Sequence, residues 1–115
     1  MDERTIKILK SIIKHWNVIN ETNDFFGKDY NNYKDNSIYQ NALLTPVTQI
    51  GELVKKISIE VRNQYTQIPW KNIAGMRDIV VHNYENIDKD ILWDVANSEI
   101  GKIKEECKKI VNGEI

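Results

Sequence analysis

IPWKNIAGMRDIVVHNYENID, residues 68–88, is the stretch whose reading decides the fold. Pro69 suits the first position of a helix, where its missing N–H costs no hydrogen bond. Trp70, Ile73, Met76 and Val80 follow at steps of three and four, the spacing of one apolar helix face. That rhythm ends at Val80–Val81, and His82, Asn83 and Tyr84 arrive together, closely preceded by Arg77 and Asp78. A segment built only to pack has no need of a guanidinium, an imidazole and a phenol in such company.

The same helical period extends outward in both directions. Ile6, Leu9, Ile12, Ile13, Trp16 and Ile19 predict a helix near residues 3–22 with one buried stripe. Tyr39, Leu43, Val47, Ile50, Val54 and Ile57 predict a second near 37–57. Leu92, Val95, Ile100, Ile103, Cys107 and Ile110 predict a last one near 88–112. Asp88 fits its N-cap, with Asp90 in the first turn facing the positive end of the helix dipole, and Asn112-Gly113 fits its stop. A shorter helix starts behind Ser58 and ends before Pro69. No period-two run is flanked by hairpin turns, so strands are not expected. The fold class expected is therefore all-α, an up-and-down bundle of four to five helices forming a single domain over residues 1–115.

Two stretches interrupt the pattern. Pro46 sits inside the second helix, where it should kink the helix or restart it with Thr45 as cap. Residues 21–36, ETNDFFGKDYNNYKDN, are polar, rich in asparagine and lack a clear period, so they read as a long connection, either functional or mobile.

Composition excludes several classes of protein. Sixteen basic residues against seventeen acidic give a net charge of −1, which does not make the molecule a general trap for nucleic acid. Between Val54 and His82, however, Lys55, Lys56, Arg62, Lys71 and Arg77 outnumber Glu60 and Asp78, a local +3 that permits a polyanion site. From Asn83 to Glu99 the balance reverses, with Glu85, Asp88, Asp90, Asp94 and Glu99 against Lys89 alone. One cysteine, Cys107, cannot close an internal disulfide. No apolar run approaches the ~20 residues that cross a bilayer, and the N-terminus lacks a signal-peptide layout. A cytoplasmic protein without a membrane association is expected. His15 and His82 are too far apart in sequence for zinc-ligand spacing, and no P-loop, dinucleotide fingerprint or nucleophile elbow is present. No metal or cofactor is expected.

Arg77, His82 and Tyr84 suit metal-independent phosphodiester chemistry. An imidazole with a pKa near ~6.5 can take the proton of a ribose 2′-OH near neutral pH. A guanidinium supplies donors to phosphoryl oxygens as charge builds on them. Tyr84 could hold the phosphate or stack on a base. On a regular helix Arg77 and His82 lie about 140° apart and share no face. If the chain leaves the helix near His82, His82 and Tyr84 face the same way in an extended segment, and Arg77 meets them through a distorted helix end or from a second copy. The bland readings stand beside this one. His82 could cap a helix, Arg77 could pair with Asp78 or Glu85, and Tyr84 could be a core residue with a wet hydroxyl.

The run R-D-I-V-V-H-N-Y resembles the R-x-x-x-x-H-x-Y motif of HEPN-domain ribonucleases, and more specifically of HepT-like toxins (formerly DUF86). TQIGELVKKIS, the IPWKNIAGMRDIVVHNYENID block and Trp93 resemble that family's further blocks in order, over roughly residues 5 to 110. The resemblance implies a HEPN-like helical bundle forming a two-fold homodimer with the motifs facing each other. It implies an RNA endonuclease toxin of a toxin–antitoxin pair, with Arg77 and His82 as the catalytic pair. It also implies a minimal nucleotidyltransferase (MNT) antitoxin as partner, which transfers AMP to Tyr84. Asn83 and Asp78 are candidate substrate-binding neighbours. The alternative is a non-catalytic HEPN module that docks a nucleotidyltransferase or holds a nucleotide.

Overall fold

The computed structural model describes residues 1–83 and 86–113, with the side chains of Arg77, Val81, His82, Asn83, Asn86 and Glu99 outside that description. The first helix, α1 (Glu3–Phe26), opens on Asp2, whose carboxylate accepts the Thr5 N–H at 2.8 Å. It closes on Gly27, at φ +90°, where Lys28 N–H returns to Asn23 O at 2.8 Å. A left-handed cap of this kind favours glycine because a Cβ would be strained there. Helix α1 is a turn longer than its periodicity predicts. Ile8, Leu9, Ile12 and Ile19 are buried, whereas Ile6, Ile13 and Trp16 are only half-buried.

The expected connection at 21–36 is thus corrected. Its first part is the end of α1, and its second is a short helix, α2 (Tyr30–Tyr33), capped by Asp29. The segment escapes a periodicity search because it buries polar and aromatic groups, Asn23 and Tyr33, rather than aliphatic ones.

Helix α3 (Ser37–Lys55) starts on Asn36, whose side chain accepts from the Ile38 and Tyr39 N–H groups at 3.1 Å each. It runs through Pro46 without restarting. Thr45 is no cap: its hydroxyl donates to Asn41 O, four residues back, at 3.5 Å. Pro46 leaves the Ala42 carbonyl without its helical donor, a cost set against a buried ring. Every residue of the expected stripe, Tyr39 through Ile57, is buried. Helices α1 and α3 lie antiparallel, since Phe26 stacks on Tyr39 at one end while Arg4 and Lys7 share a groove with Leu53 and Lys56 at the other.

Ser58 caps α4 (Ile59–Gln64), as its sequence predicts. Arg62 reaches back from α4 to the Val54 and Ile57 carbonyls at 2.8 and 3.2 Å, tying α4 to the end of α3. Pro69 precedes α5 (Trp70–Ala74), and Trp70 donates its indole N–H to Tyr65 O at 3.0 Å. Helix α5 crosses α3 at Gly51, where an added Cβ would stand 3.3 Å from the Ile73 carbonyl oxygen. After Gly75 comes α6 (Met76–Val80). Trp70, Ile73, Met76 and Val80 all face the core.

The absence of strands is the second expectation to be corrected. Val81–Asn83 (β1) and Asn86–Ile87 (β2) pair antiparallel, in the register Val81↔Ile87 and Asn83↔Asn86, with an irregularity between the pairs. Elements this short leave no alternation to read in sequence. The chain then enters α7 (Lys89–Asp94), a π-helical turn (Val95–Glu99) and α8 (Ile100–Val111), consecutive segments of the predicted last helix. Ile100 N–H bonds Val95 O, five residues back, and Gly113 at φ +74° follows the end. This last helix returns along α1, with Asn97 meeting Asn23 and Gly101 meeting Trp16. The expected helical bundle is present, and among the described residues no helix is long and apolar enough to cross a membrane.

Candidate active site

The motif occupies a short arm between α6 and α7. Arg77 and Asp78 lie on α6, with Asp78 exposed. Val80, fully buried, is the last residue of that helix, and the backbone of His82 and Asn83 is already extended in β1. The chain thus leaves the helix two residues before His82, which is the condition set by the 140° mismatch between Arg77 and His82. Asn83 pairs through its backbone with Asn86. Tyr84, the third member of the motif, lies outside the described residues, as do the side chains of Arg77, His82 and Asn83. The arm is closed at its base, where Asp88 N–H donates to Val80 O at 2.7 Å. Asp88 then caps α7, its carboxylate accepting the Ile91 N–H at 3.1 Å.

Behind the arm lies a cluster that sequence reasoning missed. Tyr33 is fully buried, and its hydroxyl donates to Lys89 O, in the first residue of α7, at 2.7 Å. Tyr30 donates to the Asp90 carboxylate, and Lys89 Nζ donates to Lys34 O at 2.9 Å. Deeper in, Asn23 accepts from the Tyr39 hydroxyl through its Oδ1 and donates through Nδ2 to Asn97 Oδ1 at 2.8 Å. Asn97, in the π-helical turn, in turn donates to Trp93 O of α7 at 3.0 Å. The rings of Tyr33 and Tyr39 meet edge to face at 5.2 Å, and Trp93 lies 4.8 Å from Tyr33. Burial raises the Tyr33 and Tyr39 pKa values, and the bond to Asp90 raises that of Tyr30, so all three stay neutral donors. The one available signal was the pair of tyrosines in YNNY, three residues apart and so on one helix face, beneath Trp93.

Lys55 pairs with Glu52 at 3.2 Å, and Arg62 is spent on backbone carbonyls, while Lys56 and Lys71 are exposed. An open groove of 640 Å³ lies between α4 and α5, with Arg62, Asn63, Lys71 and Asn72 in its walls. Among the described residues, no member of the motif lines it. Cys107 is buried in α8, and desolvation pushes its thiol up to about 12, so it offers no nucleophile near neutral pH.

Residues 16–110, most of the chain and all of the arm and the cluster behind it, match the family described as Ribonuclease HepT-like. This chain belongs to the HepT-like family. It is 38% identical over 113 residues to "Putative RNase MJ0125" of Methanocaldococcus jannaschii, covering 96% of this chain and 95% of that protein. It is 36% identical to "Putative RNase MJ1216" of the same organism, with 96% and 91% covered. "Probable ribonuclease HepT" of Thermococcus cleftensis is 31% identical over 62% of this chain and 64% of its own length. No solved structure gives a significant match.

Proposed function

We propose that this HepT-like chain is a metal-independent endoribonuclease, the toxin of a HepT/MNT-type toxin–antitoxin pair, acting in the cytoplasm as a homodimer of single-domain protomers. The observation that carries the reading is the break at Val80, which takes the His82 backbone out of the helix that bears Arg77. His82 takes the proton of a ribose 2′-OH, and that oxygen attacks the adjacent phosphorus. Arg77 donates to the phosphoryl oxygens as negative charge grows on them, and the 5′-oxygen leaves with a proton returned to it. The products are a 2′,3′-cyclic phosphate and a 5′-hydroxyl. General-base help of this kind contributes about 10²–10⁴ in rate. Asn83 and Asp78 flank the pair as substrate-binding groups, and a second copy facing the first across a two-fold axis brings one protomer's Arg77 to its partner's His82.

Neutralisation follows from charge. AMP transferred to Tyr84 by a minimal nucleotidyltransferase antitoxin adds about one negative charge beside the phosphate position. At ~5 Å and an effective dielectric of ~20 this repulsion is roughly 3 kcal/mol, about two decades in binding. The test is product chemistry with complementation. RNA cut in EDTA should carry cyclic-phosphate ends, and a mixture of Arg77→Ala and His82→Ala chains should regain about a quarter of wild-type activity through mixed dimers. No activity in the mixture refutes the shared site. Bound nucleotide without cleavage of any RNA favours the non-catalytic module instead.

A further inference from the structure

We propose that Tyr33, assisted by Tyr30, is a positioning residue that holds the α7 stem of the motif arm; its catalytic consequence rests on the nuclease reading above. The arm has two stems. One is Val80, buried at the end of α6. The other is Asp88 with Lys89, joined to the first by the Asp88 N–H to Val80 O bond of 2.7 Å. Three contacts from the α2 region converge on the second stem: the Tyr33 hydroxyl on Lys89 O, the Tyr30 hydroxyl on Asp90, and Lys89 Nζ on Lys34 O.

None of the three is needed to start α7, because Asp88 already caps it. What they fix is the place of that helix start relative to α2. Tyr33 can set that place because its ring is immobilised, buried between Tyr39 and Trp93. A hydroxyl on a ring so held is a strut of constant length between the core and the stem. The residues between the stems include His82, Asn83 and Tyr84, and displacement of a reacting group by about 1 Å can cost about two decades of rate. The 21–36 segment thereby becomes the abutment of the motif arm.

Phenylalanine keeps each ring and removes only the hydroxyl, so Tyr30→Phe/Tyr33→Phe should fold. In the full chain, the amides of residues 81–87 should exchange about tenfold faster in this variant than in wild type, with those of α8 unchanged. The kcat for RNA cleavage in EDTA should fall about tenfold while KM holds. Ile110→Val, a core change in α8 away from the arm, should do neither at a temperature where both variants are folded. Unchanged exchange in the arm, or equal acceleration by Ile110→Val, overturns the strut. Faster exchange with unchanged kcat overturns the positioning role and leaves the nuclease reading intact. Faster exchange with a wild-type chain that cleaves no RNA overturns the nuclease reading and leaves the strut.

Discussion

The motif arm and the cluster behind it lie side by side and could hardly differ more in construction. The arm is two short strands that follow the short helix α6, with the Asp88 N–H to Val80 O bond at its base. The cluster is a set of rings and amides around the buried Tyr33, Tyr39 and Asn23, whose hydrogen bonds span as many as 74 residues of sequence. The arm carries residue types suited to chemistry. The cluster has no reactive group and a great deal of packing. Chemistry needs solvent access and substrate room, which are incompatible with dense burial, so rigidity has to be supplied from the neighbouring layer.

Stability measurements on the cluster test this division most strongly. Tyr33→Ala removes a fully buried ring, and urea unfolding should show a loss of about 3–5 kcal/mol. A loss under 1 kcal/mol would mean that the core does not depend on α2. Asn23→Ala should cost about 1–3 kcal/mol, because it strands the buried Tyr39 hydroxyl and a half-buried Asn97 oxygen. If Asn23→Leu proves more stable than wild type, the amide network contributes position rather than stability. The smallest effect concerns pH. The folded pKa of Tyr30 is raised above the ordinary tyrosine value, chiefly by its bond to Asp90. Its contribution is therefore fully present below about pH 10 and is lost as pH rises through the folded value. Tyr30→Phe should flatten part of the alkaline fall in the urea midpoint, and an unchanged slope would show that the exposed bond is not maintained in solution.

Most of the scaffold was legible because aliphatic residues at helical spacing have only one comfortable arrangement. Tyr39, Leu43, Val47, Ile50, Val54 and Ile57 lie where their spacing puts them, and Ser58, Asp88 and Gly113 cap or end helices as their chemistry suggests. Ile8 was missed because it sits beside a Leu9 that fits the stripe as well. Pro46 was overread: a buried proline in a long, well-packed helix is tolerated when neighbouring contacts offset one lost bond. The strands were invisible because two or three residues cannot display a period. The asparagine–tyrosine cluster was invisible for a different reason. Asn23 and Asn97 are polar, and only the fold brings them together, so no local pattern marks them as interior. At the motif, residue types and order made Arg77, His82 and Tyr84 conspicuous, and the helix break beside them is what the spacing required.

The most direct measurement is the single-turnover rate of RNA cleavage in EDTA by wild-type and His82→Ala protein, both checked for folding by their urea midpoints. The account predicts matching midpoints and a rate at least a hundredfold lower for the variant. Equal rates from two equally folded proteins would contradict it, because the imidazole would then have no part in the reaction.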